Sequence, residues 1–214
     1  TVWINDLAAF WAEWVAQAPA PHVLMGHSMG GHLALRAAVE GRVSPDAMVL
    51  SAPMLAFTPI GLPPVLLHQV AKLMCLIGDP RRPAWKWSEK PGQPPERRIK
   101  LLTHDEERYE DELWWRAHRP ELVMGPGSWR WIERAYASMR QLARPGVLER
   151  LDVPTLIIAT TADGLVDGRA ARKAAGRLPK GELLLFGSEA RHEILRESDP
   201  VRLRAMAAID DFLV

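Results

Sequence analysis

The chain has 214 residues, 48% of them hydrophobic and 25% charged, an ordinary globular balance that excludes a disordered segment, a collagen-like repeat or a coiled coil. Its 27 basic and 26 acidic side chains leave a net charge of +1, too weak a field to make nucleic acid a partner. A single cysteine, Cys75, excludes an internal disulfide framework and suits a reducing, cytoplasmic setting in which the thiol is simply buried.

Along the chain, Val2, Ile4, Leu7, Phe10, Trp11, Trp14 and Val15 recur at helical spacing. They predict an amphipathic helix over 2–17, with Trp3, Trp11 and Trp14 packed in the core, ended by Ala18-Pro19-Ala20-Pro21. His22 to Met25 is short, apolar on both faces and bounded by Pro21 and Gly26, the pattern of a strand in the middle of a parallel sheet. A helix from Met29 to Glu40, with Leu33, Ala34, Ala37 and Ala38 turned inward, and a strand from Ala47 to Ser51 complete a strand-helix-strand unit.

Beyond Pro53 the texture changes. Proline and glycine are frequent, six of the nine tryptophans appear, and no strand pattern returns until about residue 151. Residues 54–145 therefore read as an insertion between core segments 1–53 and 146–214. Within it, Pro63 to Ile77 predicts a helix with Val65, Leu66, Val70, Leu73 and Met74 on one side. Its apolar run is interrupted by His68, Gln69 and Lys72 and is shorter than the roughly 20 residues of a bilayer span. Residues 81–100 are basic and Asp105 to Glu112 acidic, two solvated faces that partly neutralise one another. The alternation then resumes with a strand from Thr155 to Thr160, a helix from Gly168 to Gly176, a strand from Glu182 to Phe186 and a final helix from Asp199 to Leu213. The expected class is α/β, a mostly parallel sheet with helices on both faces.

Gly26-His27-Ser28-Met29-Gly30 matches G-x-S-x-G at the place where that motif has mechanical meaning, between a strand and a helix. So tight a turn lifts the Ser28 hydroxyl clear of the sheet and needs small residues two before and two after it, here Gly26 and Gly30. It also aims the first amides of the following helix, Met29 foremost, at a reacting carbonyl. Serine is a feeble nucleophile at neutral pH, so a base and an orienting acid are required, in the chain order serine, carboxylate, histidine. The loop after Thr160 carries Asp163 and Asp167, and the loop after Phe186 carries His192. All lie beyond the carboxyl ends of strands, the edge where open α/β sheets bind ligands. Asp163 comes first after its strand, whereas Asp167 looks like a helix cap. His27 and His32 flank the nucleophile, where packing roles are expected and His27 is a weaker candidate for substrate contact. H-E-x-x-H, G-x-x-x-x-G-K-[ST] and G-x-G-x-x-G are all absent, so neither a metal nor an organic cofactor is expected.

Gly26 to Gly31, Ser51-Ala52-Pro53-Met54, the stretch from Pro154 to Asp167 and Ala190-Arg191-His192-Glu193 together resemble the α/β-hydrolase fold. More narrowly they resemble the lysophospholipase and monoacylglycerol lipase group, placed among the serine aminopeptidase-like hydrolases. The resemblance implies Ser28, Asp163 and His192 as nucleophile, acid and base, the Met29 amide as one oxyanion donor, and a mainly helical cap over the acyl pocket. It departs at Ser188-Glu189-Ala190-Arg191, where relatives often carry glycine directly before the histidine.

Nine tryptophans against two tyrosines and four phenylalanines suit an acyl tunnel or a cap that touches lipid, because an indole is apolar with one polar edge. In the insertion these are Trp85, Trp87, Trp114, Trp115, Trp129 and Trp131, with Trp114, Trp115 and Trp129 taken as substrate contacts. The substrate expected is a small ester or lysolipid, cleaved through an acyl-enzyme, with transient contact between the cap and a membrane surface and residence in the cytoplasm or at the inner membrane. Two alternatives stand beside it. A peptidase or amidase of the same fold would use Asp105 to Glu112 to bind a free amino terminus. An inactive fragment is the expectation if the strands and second oxyanion donor that precede the nucleophile strand in this fold are missing, since only one helix precedes it here.

Overall fold

The computed structural model describes residues 2–86, 96–123 and 125–214, with the side chains of Glu96 and Arg97 left aside. Trp87 and much of the basic tract after residue 81 lie outside the described residues. Four strands, β1 (Val23–His27), β2 (Ala47–Ser51), β3 (Thr155–Thr160) and β4 (Gly181–Phe186), form one parallel sheet in chain order. The register pairs Val23 with Ala47, Met48 with Thr155 and Thr155 with Gly181. The strand ends that matter, His27, Ser51, Thr160 and Phe186, therefore share one edge of the sheet.

Side chains alternate between the two faces of a strand, and each face has its own core. Met48, Leu50, Ile157 and Ala159 join α1 (Val2–Val15), α2 (Met29–Val39) and α7 (Gly168–Ala175) on one side. Val49, Leu156, Ile158 and Phe186 join Val201 and Ala205 of α8 (Asp199–Leu213) on the other. β3 is buried at every residue. β1 differs from the mid-sheet strand expected: among the described residues it pairs only with β2, and Met25 is 48% exposed. The core that α8 forms with β2, β3 and β4 does not include Met25 or His27.

α1 also corrects an expectation. Its buried stripe runs Ile4, Leu7, Trp11 and Val15, so of its three tryptophans only Trp11 is core. Trp3 is half-exposed, and Trp14 lies at the rim, edge-on to Trp11 and His22. Cys75, expected buried, is half-buried.

Between β2 and β3 the chain forms α3 (Pro64–Leu76), α4 (Glu96–Leu102), α5 (Glu106–His118) and α6 (Trp129–Leu142). Asp105 caps α5 by accepting from the Arg108 amide at 3.0 Å, and Ser128 caps α6 by accepting from the Trp131 amide at 3.1 Å, each worth about 1 kcal/mol. The stripe Ala135, Tyr136 and Met139 of α6 packs on Ala52, Met54 and Val166, so this helix roofs the carboxyl edge of the sheet. Between the expected basic and acidic tracts, Arg98 pairs with Glu112 of α5 at 3.3 Å, and Glu112 is shared with two arginines outside the basic tract, Arg116 at 2.8 Å and Arg196 at 3.3 Å. Among the described residues, no helix is long and apolar enough to cross a membrane.

Candidate active site

Ser28 occupies the turn between β1 and α2 with φ 52° and ψ −117°, a left-handed backbone that costs a non-glycine residue roughly 1–3 kcal/mol. The surroundings hold it there. Its amide donates to the Ser51 carbonyl at 2.9 Å, and its own carbonyl accepts from the amides of His32 at 3.0 Å and Met54 at 2.9 Å. The glycines divide differently from expectation. A Cβ on Gly26 would lie 2.7 Å from the Gly31 Cα, whereas one on Gly30 meets nothing within 4 Å. The close approach that closes the turn is thus Gly26 on the Gly30–Gly31 peptide, the Gly30 carbonyl carbon lying 2.8 Å from that Cβ, while Gly30 itself has room for a side chain.

Asp163 follows β3 and His192 lies in the loop after β4; both are almost fully buried. His192 Nδ1 is 2.7 Å from Asp163 Oδ2, and His192 Nε2 is 2.9 Å from Ser28 Oγ. A carboxylate only accepts, so Nδ1 carries the proton, Nε2 presents its lone pair, and the Ser28 hydroxyl donates to it. The other carboxylate oxygen of Asp163 accepts from the Leu165 amide at 2.8 Å and the Val166 amide at 3.0 Å. With its lone pairs spoken for on both sides, the carboxylate has one orientation. Asp167 stands apart as the cap of α7, accepting from the Arg169 amide at 3.0 Å.

The remaining candidates are distributed as follows. Met29 is the first residue of α2, and an amide in the first turn has no partner within the helix. His27 lies beside His192, the ring centroids 4.8 Å apart, and its Nε2 donates to the His192 carbonyl at 3.2 Å. His32 is buried in α2 with Nε2 2.5 Å from the Ser138 hydroxyl, and burial, aided by Arg36, pulls its imidazole down to about 4. Trp114 and Trp115 stand half-exposed on α5, edge-to-face with each other, Trp114 stacking on His118. Trp129 begins α6. The indole next to the turn is Trp131, whose Nε1 donates to the Met29 sulfur at 3.3 Å and whose ring packs with Phe57 and Trp85. Its signal lay in the same stripe as Ala135 and Met139, three residues past the Ser128 cap.

A cleft of about 650 Å³ opens beside Met29, walled by Ile4, Leu33, Met54, Trp131 and Ala135, with Arg130 and Arg134 at its rim. A second, of about 590 Å³, lies on the His27 side and is lined largely by charged groups, among them Arg108, Asp111, Glu193 and Arg196. Only the first offers an apolar wall next to the serine turn. Among the described residues, no group of three or more His, Cys, Asp or Glu side chains could hold a metal ion. The carboxylates of Asp105 and Glu112 are engaged, one in a helix cap and the other with three guanidinium groups.

Comparison with known proteins agrees on one family. The profile of the family described as serine aminopeptidase, S33, matches residues 1–199. Lysophospholipase L2 of Escherichia coli K12 is 29% identical over 223 residues, which cover 98% of this chain and 63% of that protein. The probable lysophospholipase L2 of Haemophilus influenzae is 27% identical over 96 residues, 44% of this chain and 29% of that one. The chain therefore spans a little under two thirds of the length of the first of these relatives. Among solved structures, a soluble variant of monoglyceride lipase from Saccharomyces cerevisiae superposes with a TM-score of 0.74 at 23% identity, covering 98% of this chain and 68% of that one. The monoacylglycerol lipase of Paleococcus ferrophilus superposes with a TM-score of 0.70 at 22% identity, covering 98% and 74%. The fold is that of the α/β-hydrolases.

Proposed function

The chain belongs to the serine aminopeptidase S33 family, and we propose that it hydrolyses a carboxylic ester of a hydrophobic acyl group, a lysophospholipid or monoacylglycerol, through an acyl-enzyme on Ser28. The observation that carries this reading is the unbroken hydrogen-bonded line from Asp163 through His192 to Ser28 at the carboxyl edge of the sheet. The names of the bacterial relatives favour the lysophospholipid.

Ser28 Oγ attacks the ester carbonyl while His192 Nε2 takes its proton, and the Asp163 carboxylate stabilises the imidazolium that forms. The Met29 amide, at the positive end of α2, donates to the oxyanion. Collapse of the tetrahedral species breaks the bond to the alcohol, which leaves with the proton from His192. Water, deprotonated by the same imidazole, then releases the fatty acid and frees Ser28. In this scheme the acyl chain lies along Met29, Leu33, Met54 and Trp131, and residues 54–145 serve as the cap.

The cap also supplies a face for the lipid surface that holds such a substrate. Val65, Leu66, Leu73 and Leu76 on the outward side of α3, with Leu62 just before it and Ile77 just after it, are none less than 47% exposed, while His68 and Ala71 on its inner side are buried. An apolar stripe of that size on a helix is a surface-binding feature. Reaction with a fluorophosphonate tests the function: labelling and monoacyl ester turnover are expected, both abolished in Ser28→Ala. Turnover of an aminoacyl arylamide without any ester hydrolysis would refute it.

A further inference from the structure

The loop that carries His192 holds one 3-10 turn, Ile194–Arg196, just after the histidine, and the residues on either side of His192 are tied down. The Arg191 amide donates to Glu197 Oε1 at 2.8 Å, and the Glu193 amide donates to the Leu102 carbonyl at 2.8 Å. Leu102 ends α4 in the insertion, and the same short stretch returns the favour repeatedly. The His104 amide donates to Glu197 Oε2 at 3.0 Å, His104 Nδ1 lies 3.0 Å from Oε1, and the Thr103 hydroxyl sits 3.3 Å from Oε2. The Arg191 guanidinium closes the circuit on the Thr103 carbonyl at 3.0 Å. Glu197 is completely buried, and a carboxylate so deep persists only when its lone pairs are filled. Here they are filled from two directions, by the histidine loop and by the link between α4 and α5. The end of α4 abuts the acid loop as well: a Cβ on Gly164, next to Asp163, would fall 2.6 Å from the Leu101 side chain.

We propose that Glu197 is a positioning residue, whose buried carboxylate locks the His192 loop to the segment Leu102–Asp105 so that the imidazole is aligned on Ser28 only while that segment is docked. The proposal rests on the catalytic reading of Ser28, Asp163 and His192. Its physical content is that two loops more than 85 residues apart in sequence share one carboxylate as their common acceptor. Movement of the insertion away from the core takes the Leu102 carbonyl from the Glu193 amide and the Thr103 and His104 donors from Glu197, leaving the buried carboxylate that holds the Arg191 amide under-satisfied, and a displacement of about 1 Å at a catalytic base costs about 100-fold in rate.

The test is steady-state kinetics of the full chain on a soluble short-chain monoacyl ester. Glu197→Ala should lower kcat about 10- to 100-fold with KM changed by less than about twofold. His104→Ala should lower kcat in the same sense by about threefold, and should add nothing to Glu197→Ala in the double variant, as expected of groups acting through one network. Asp199→Asn, which removes the exposed carboxylate paired with Arg108 and Arg202 and leaves the Glu197 carboxylate in place, should leave kcat unchanged. The low-field proton resonance of His192 Nδ1–H on Asp163 should be present in the wild type and lost in Glu197→Ala, a change that a merely destabilised fold would not produce selectively. If Glu197→Ala does not fold, the His104→Ala measurement and its resonance decide the matter. A normal kcat and an intact resonance in the folded variants would overturn the proposal. Ser28→Ala in the same assay separates the two readings: turnover there refutes the triad, whereas an inactive Ser28→Ala beside normal Glu197 variants refutes the positioning role alone.

Discussion

Replacing Asp163 by asparagine isolates what the carboxylate contributes beyond shape. One of its oxygens accepts two amides, from Leu165 at 2.8 Å and Val166 at 3.0 Å, and the other accepts from His192 Nδ1 at 2.7 Å. An asparagine must keep its carbonyl oxygen towards the two amides, because turning its NH₂ on them would leave three donors facing one another and two buried N–H groups unpaired, at about 1–3 kcal/mol each. The NH₂ therefore faces His192 and donates to Nδ1, which drives the imidazole proton to Nε2. That nitrogen can then no longer accept from Ser28, 2.9 Å away. The expected loss is about 10⁴-fold in kcat, equivalent to about 5.5 kcal/mol, with KM little changed and the unfolding free energy within about 1 kcal/mol of wild type, since both amide bonds survive. Stopped ester hydrolysis and denaturant unfolding of the same preparation measure the two quantities. A loss of less than about tenfold in kcat, well short of the tautomer effect, would show that the carboxylate does not set the tautomer.

Three further outcomes follow from particular contacts. Gly26→Ala should abolish fluorophosphonate labelling of Ser28 and lower stability by several kcal/mol, because its methyl group meets backbone at 2.7 Å, while Gly30→Ala should leave both nearly unchanged; equal effects at the two positions would contradict the geometry of the turn. His32 is neutral in the folded chain down to about 4, whereas an unfolded histidine takes up its proton near 6.5. The unfolded state therefore binds more protons between those values, so the contribution is intact above about pH 6.5 and is lost as the pH falls towards 4. Between pH 7 and pH 5 the wild type should lose about 2 kcal/mol more than His32→Gln, and parallel losses in urea titrations would exclude this origin. Leu66→Glu with Leu73→Glu should weaken sedimentation with anionic vesicles severalfold while sparing turnover of a soluble ester, and undiminished vesicle binding would remove α3 from the membrane-facing role.

Much of the sheet and of the proposed triad is legible in the sequence, because its signals are local. Apolar runs bounded by proline and glycine marked β1 to β4, and Gly26 to Gly30 between a strand and a helix marked the serine turn. The position of Asp163 and His192 after successive strands put them on the same edge, since parallel strands all end there. The insertion was less legible. α5 and α6 begin at recognisable caps, Asp105 and Ser128, yet α5 is too polar for an apolar stripe to announce it. The abundance of tryptophan pointed to the insertion without saying which ring approaches the turn. Trp131 does so because α6 crosses above Met29, while Trp114 and Trp115 ride on the half-exposed surface of α5.

The sequence by itself determined the class of fold, the family, and the strand ends at which Ser28, Asp163 and His192 stand, all of which reside in short patterns of residues adjacent in the chain. The tertiary structure alone decided that Gly26 lies against the Gly30–Gly31 peptide while Gly30 itself is open, that Met25 is left exposed beside the α8 core, and that a buried Glu197 joins the histidine loop to Thr103 and His104. Each of these depends on which surfaces meet once the helices pack, and no periodicity along the chain records a contact between segments dozens of residues apart.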